Sequence, residues 1–400
     1  MRRRVKITGI GPVTPAGIGR EAFFKGINEP ISRVRAITRY RPEAGPFIGA
    51  EVGDFDLYDF APEENPRRLS RHTQLGLAAA ILALRDAGLS FEEIAPLKPA
   101  VVSGTSIMDM EKISRGVQVV AQKGPRYSMA STIYESSVVN VPGKISSYLG
   151  IPTRMIAVQT SCCSGLDAIG QASDLIAEGQ ADFVIAGGSE APLSFHPLLE
   201  FNAAELNPST DETPELTCRP FDLWRSTGVI GEGAAMFTLE PEESPRPAYA
   251  WITGYGYASD ANGLAGEGIA DAARIALANA QRRASEVDYI CAWGPGHRAI
   301  DANESTAMRR IFGDRLPEIA SCSLKGAIGT ALAAAGPIQM ASVALSMRHG
   351  QIPPTVNWAT PDPQCPLNLS AHPRYLSPNV AIVNAHGLSG SNAVIVVERT

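Results

Sequence analysis

Four hundred residues exceed one ordinary domain and suit two or three units, or one large duplicated α/β body. Hydrophobic residues make up 44% and charged residues 19%, enough for a large core, and a formal net charge of −6 argues against a nucleic-acid binder, which would be basic on one face. No run of 18 or more apolar residues signals a membrane span, and six cysteines without CxxC spacing favour neither a disulfide framework nor zinc, so a reduced, cytoplasmic setting without a metal is expected.

An apolar strand is expected at residues 5–10, running into a Gly/Pro loop at 11–19 and a helix at 21–26. Met1-Arg2-Arg3-Arg4 has the basic character of a secretory start, but no long apolar core follows. Residues 27–66, rich in Pro, Gly and charge, read as a surface excursion. A helix follows at 68–84, with Leu69, His72, Leu75, Leu77 and Ala79 near one face and Gly88 closing it. Next come a buried strand at 99–103, a helix at 113–123, a polar irregular stretch at 128–137 and a helix at 138–149 ended by Gly150. Residues 181–188 form another buried strand. Residues 192–232 hold few clear elements, and long irregular segments in compact domains are usually functional or disordered. Strands at 234–239 and 250–254 lead into a helix at 268–284, a strand at 288–293 and a helix at 303–312. A strand-turn-helix at 319–347 and strands at 380–384 and 394–398 complete the chain.

The organising stretch is residues 155–179. Its opening run, 155–158, reads as a buried strand, and Leu166, Ile169, Ala172, Leu175 and Ile176 fall at helical spacing. Thr160-Ser161-Cys162-Cys163-Ser164-Gly165 leaves no room for a long loop. The turn residues therefore sit at a helix N-terminus, where unpaired N–H groups and the helix dipole stabilise a thiolate. That is the logic of a hydrolase nucleophile elbow with sulfur for oxygen. On these residues alone, two small buried cysteines at a tight turn are the simpler account. Residues 318–326, followed by an Ala-rich helix, echo the same shape. The chain thus reads as an α/β protein with parallel strands covered on both sides, in two halves with a site between them. Residues 1–249 would carry the cysteine and 250–400 would form the second half.

Several motifs sharpen this. Residues 7–15 (I-T-G-I-G-P-V-T-P), 160–170 (T-S-C-C-S-G-L-D-A-I-G), 185–191 (I-A-G-G-S-E-A), 218–222 (C-R-P-F-D) and 231–234 (G-E-G-A) together resemble the β-ketoacyl-acyl carrier protein synthase family. The resemblance implies a thiolase-like, five-layer αβαβα fold of two duplicated halves. It places Cys162, not Cys163, at the nucleophile, and implies decarboxylative Claisen condensation. An acyl chain is loaded on the cysteine and attacked by malonyl decarboxylated on a carrier protein, with two histidines and a lysine in support. Substrates ride on the phosphopantetheine of an acyl carrier protein, so no cofactor of the chain's own is expected. The implied partners are that carrier and a second subunit, in a homodimer or in a heterodimer with a ketosynthase, with no nucleic acid and no membrane. The carrier, being acidic, implies a local basic patch, for which Arg68, Arg71 and Arg126 are candidates.

The sequence departs from the family where the histidines belong. The pattern N-A-H-G-T-S-T aligns with residues 291–297, so Trp293 stands for the first histidine, and K-S-M-T-G-H aligns with 325–330, so Lys325 stays while Thr330 stands for the second. Asp301 and Glu304 keep the family's acidic positions, Lys325 is expected to pair with Glu304, and a further acidic position becomes Gln339. N-S-F-G-F-G-G aligns with 384–390, which turns the two phenylalanines into His386 and Leu388. By the same analogy the N–H groups of Cys162 and Leu388 form an oxyanion hole. Residues 135–137 (Glu135, Ser136, Ser137) align with an acyl-tunnel segment that is mostly apolar in the family: either the pocket is short or polar, or those side chains turn away.

Trp293 offers one indole N–H that exchanges no proton, and Thr330 offers a weak hydroxyl. Losing one well-placed donor typically costs about 10²–10³ in rate, so losing two should nearly abolish condensation. One reading is therefore a non-condensing partner subunit of the chain-length-factor kind. The alternative is a Cys162-dependent acyltransferase, thioesterase or atypical condensing enzyme with His386 as a relocated base. His386 is equally a histidine filling an aromatic-sized space and bonded to backbone, and His297, after Gly294-Pro295-Gly296, reads either as a solvated loop residue or as one that swings inward.

Overall fold

Strand β1 (Val5–Thr14) is buried along its whole length and takes in residues 11–14 of the expected Gly/Pro loop. Its glycines allow this: a Cβ on Gly9 would stand 2.2 Å from the carbonyl oxygen of Ala83, and one on Gly11 1.9 Å from that of Ala79. Helix α1 (Arg71–Ala87) therefore lies directly on the strand, and it ends as expected on Gly88 in the left-handed conformation. The computed structural model describes residues 3–39, 47–108, 110–208, 213–261 and 266–400. Met1 and Arg2 of the basic start, and residues 40–46 and 209–212 of the two irregular segments, lie outside the described residues.

The first half contributes β1, β2 (Pro99–Gly104), β3 (Arg154–Val158), β4 (Phe183–Glu190) and β5 (Gly233–Pro241). The second contributes β6 (Ala250–Ser259), β7 (Tyr289–Cys291), β8 (Ala320–Cys322), β9 (Val380–His386) and β10 (Ser391–Arg399). Across the sheet the order is β8-β7-β9-β10-β6-β1-β5-β4-β2-β3. In each half the third, second and fourth strands run parallel, and the fifth and first follow antiparallel. The same five-strand order thus occurs twice, joined by a short antiparallel seam of Val5–Ile7 on residues 250–252.

Helices make the other layers. Helix α1 and α3 (Asn140–Leu149) pack on the outer face of the first half-sheet, and α2 (Met110–Lys123), which fully buries no described residue, stands beside them. Helices α4 (Ser164–Ala177) and α7 (Ala335–His349) fill the space between the half-sheets. Helices α5 (Ile269–Asn279) and α6 (Arg298–Phe312) cover the far face, completing αβαβα. Helix α7 is buried without a break from Ala335 to Met347, so apart from Gln339 its buried residues are apolar or small all round. Where α4 meets the start of α7, a Cβ on Gly165 would lie 2.2 Å from the carbonyl oxygen of Ala333.

Some expectations change. Strand β3 is not buried: it is the sheet edge, and Met155 is 47% exposed. The segment at 27–66 is not merely surface, because Val34, Ile48 and Ala50 pack with Cys218 and Val229. The stretch at 128–137 contains a short helix, Ser131–Glu135. Its Glu135 turns inward and accepts from Ser70 N (2.7 Å) and Asn140 Nδ2 (2.8 Å). Among the described residues no helix is long and apolar enough to cross a membrane.

Candidate functional site

The turn between β3 and α4 holds Ser161 at φ 58°, a left-handed conformation unusual for a serine. Side chains brace it: Ser164 Oγ accepts from Thr160 N at 2.8 Å and donates to Ser161 O, and Asp167 accepts from Thr160 Oγ1 and Tyr255. The two cysteines then part. Cys163 Sγ donates to Ser391 O at 3.2 Å, while Cys162 faces a narrow cleft with a cavity volume of about 40 Å³. Its walls include Phe201, Leu206, Trp293, His297, Thr330, His386 and Leu388. The irregular segment at 192–232 supplies several of them, including Phe201, Leu206 and Ile230.

The expected thiolate stabilisation does not hold. Helix α4 begins at Ser164 with Cys163 as its cap, and burial pushes the Cys162 thiol up to about 11. The Ser161 hydroxyl and the Leu388 N–H pull the other way, and nearby Glu190 adds to the rise. The Leu388 N–H lies within hydrogen-bonding reach of the sulfur. Burial also pushes Glu190 up to about 7, although it accepts from Ser106 N (2.5 Å) and Ile107 N (3.4 Å).

Trp293 and Thr330 do flank the same cleft as Cys162. The backbone N–H groups of Trp293 and Gly294 both donate to Glu304 at 2.8 Å, and Asn384 Nδ2 donates to it at 3.0 Å. Glu304 thus fixes the loop, and the expected Lys325–Glu304 pair is replaced. Lys325 Nζ donates to Gln339 Oε1 at 2.6 Å and lies 4.5 Å from the Trp293 ring centre. Asp301 accepts from Phe221 N (2.7 Å) and Gly296 N (3.1 Å), with Arg225 Nε 3.7 Å away. Burial pushes Asp301 up to about 8. The Thr330 hydroxyl has no hydrogen-bond partner among the described residues.

His297 is not a solvated loop residue. It caps α6, its Nδ1 accepting from Ile300 N at 3.4 Å, and burial lowers its pKa on the cleft wall. His386 is bonded to a side chain rather than to backbone: Nδ1 lies 3.0 Å from Asn392 Oδ1 and 3.9 Å from Asp260 Oδ2. Asn392, Asp260 and Glu190 were missed by sequence reasoning. Glu190 lies inside the quoted 185–191 motif, but Asn392 and Asp260 meet only because β10 pairs with β6 in the observed register. Among the expected carrier-binding arginines, Arg71 is engaged by buried Glu232 at 2.8 Å, whereas Arg68 and Arg126 are exposed. Among the described residues no group of three or more His, Cys, Asp or Glu side chains is placed to hold a metal ion.

Comparison with known proteins matches residues 2–244 to the beta-ketoacyl synthase N-terminal domain and 249–359 to its C-terminal domain. A putative polyketide beta-ketoacyl synthase 1 of Streptomyces cyaneus is 33% identical over 97% of this chain and 96% of its own. The structure titled the ishigamide ketosynthase/chain length factor superposes with a TM-score of 0.93 at 28% identity, covering 100% of both chains. A type II PKS acyl-carrier protein in complex with its ketosynthase bound to the hexaketide gives a TM-score of 0.91 at 28% identity, again over 100% of both chains.

Proposed function

The chain belongs to the β-ketoacyl synthase family, and from that membership we propose that it is a chain-length-factor-like partner of an active ketosynthase, handling carrier-bound acyl chains in polyketide or fatty-acid assembly without condensing them itself. The observation that carries this is the pair Trp293 and Thr330 on the cleft wall beside Cys162. Decarboxylation needs donors aimed at the developing enolate oxygen, and neither residue exchanges a proton as an imidazole does. Lys325 points the same way, since it holds the neutral Gln339 and the Trp293 ring rather than ordering a catalytic histidine.

Two surfaces support partnership. Strand β3 leaves a free sheet edge with Met155 exposed, and Ile133 and Tyr134 nearby in sequence are 73% and 71% exposed. A free sheet edge and, separately, exposed apolar side chains suit a second subunit. Exposed Arg68 and Arg126 would meet an acidic carrier, whose phosphopantetheine brings the acyl group, so the chain needs no cofactor of its own. Six free cysteines fit a reducing, cytoplasmic setting.

The test is co-expression with a tagged active ketosynthase, followed by assay of malonyl-carrier decarboxylation by the chain alone. A stable complex and no carbon dioxide release above background are expected. Turnover by the isolated chain would overturn the reading. The retained thiol of Cys162 leaves one further chemistry open, which the histidine beside it defines.

A further inference from the structure

Asn392 Nδ2 donates to Asp260 Oδ1 at 2.7 Å and to the carbonyl oxygens of Gly390 (3.2 Å) and Ala258 (3.4 Å). All three are acceptors, so the amide cannot be turned round. Its Oδ1 is therefore the atom 3.0 Å from His386 Nδ1. An oxygen there requires a donor, so the neutral imidazole carries its proton on Nδ1 and its lone pair on Nε2. Asp260 is fixed in turn by Gly268 N (2.7 Å) and Gly266 N (3.0 Å). His386 is 2% exposed, its Nε2 has no partner among the described residues, and it shares a cleft wall with Cys162 and the unpartnered Thr330 hydroxyl. A buried ring nitrogen left without a partner in the same cleft as a buried thiol is costly unless it has work to do.

We propose that His386, held in one tautomer by Asn392 and Asp260, is the proton acceptor for Cys162, and that the pair moves an acyl group from a carrier thioester onto the cysteine. His386 Nε2 takes the thiol proton as Cys162 Sγ bonds to the carbonyl carbon. The carbonyl π electrons move to oxygen, towards the Leu388 N–H. Collapse re-forms the carbonyl and breaks the bond to the carrier sulfur, which takes the proton back from His386. The acyl group ends on Cys162, the carrier leaves as a free thiol, and no co-reactant is needed. The substrate class rests on the function proposed above; the proton transfer does not.

Burial of the thiol makes such a base necessary at neutral pH. The other titratable groups facing the pair are Glu190 on β4, Cys163 on the same turn, Asp260 at the end of β6 and His297 at the start of α6. Lys325 is stacked on the Trp293 ring.

The experiment is alkylation of the intact protein by iodoacetamide across pH, with Cys162 followed by peptide mass spectrometry and Cys162→Ala as the blank. His386→Asn keeps a donor for Asn392 Oδ1 but has no Nε2. At pH 7 it should alkylate about 10²-fold more slowly than the unsubstituted chain, the gap closing as pH approaches that of the thiol itself. Equal rates at pH 7 in a His386→Asn protein with an unchanged melting temperature would overturn the proposal. If that variant melts early, His386→Phe, which keeps an aromatic ring, decides in the same way. An acyl-pantetheine thioester read as acyl mass on Cys162 tests the transfer. An adduct forming equally fast without the imidazole overturns it, even where the partner reading stands.

Discussion

Gln339 joins Lys325 to the backbone at the ends of two strands, β7 and β9: Oε1 accepts from Lys325 Nζ at 2.6 Å, while Nε2 donates to the carbonyl oxygens of Cys291 (3.0 Å), Ala292 (3.0 Å) and Asn384 (3.2 Å). Both residues are buried, and burial pushes the lysine down to about 8. Between pH 8 and 10.5 the unfolded chain therefore binds more protons than the folded one, so stability from this site rises with pH across that window. Lys325→Met should flatten the rise, which amounts to about 3 kcal/mol. Gln339→Leu should instead cost about 3 kcal/mol or more, because an ammonium and backbone carbonyls lose their partner together. Urea unfolding at pH 7, 8.5 and 10 measures both.

Glu190 has the opposite sign. Its folded pKa stands raised to about 7 from 4.5, so the stability tied to its protonated form is complete below 4.5 and is lost as pH rises through 7. Glu190→Gln should remove that decline while its amide oxygen still accepts from Ser106 N. The same change deletes a negative charge beside Cys162, so alkylation of the cysteine should shift to lower pH. Melting temperature and alkylation rate from pH 5 to 8 check the two effects.

Gly165→Ala tests the contact between the central helices. The new Cβ meets backbone, the Ala333 carbonyl oxygen 2.2 Å away, rather than a side chain that can swing aside. A loss of about 1–3 kcal/mol in chemical denaturation is expected.

The combined change Trp293→His with Thr330→His should bring malonyl-carrier decarboxylation above background, and each single change should fall about 10²-fold short of the pair. Release of labelled carbon dioxide measures this.

The fold was legible because its signals are local and periodic: β1, α1 with Gly88, and the strand-turn-helix around Cys162 all lie where the residues place them. An apolar run does not say whether its cover comes from its own chain, so β3 reads as buried although it is an edge. At the site, motif spacing located Cys162, Trp293, Thr330 and Lys325 on or behind one cleft wall. It could not give the partner of Lys325, since buried Glu304 and Gln339 are both within reach of the same segment. Nor could it show that Asp260 and Asn392 meet at His386, because residues 132 apart in sequence touch only through strand register. The thiol was misjudged because helix-end stabilisation is a small term beside the desolvation of a cysteine only 5% exposed.

Strand β1 is the only place where the two half-sheets hydrogen-bond strand to strand among the described residues, with Val5, Lys6 and Ile7 opposite Ile252, Trp251 and Ala250. Residues of β1 thus wait for a neighbour some 245 positions later in the chain, as the pair Lys6 and Trp251 shows. A fragment ending near residue 249 would carry an unsatisfied ribbon and an uncovered inner layer of helices. Sluggish, chaperone-dependent maturation and aggregation of the isolated first half follow directly from that seam.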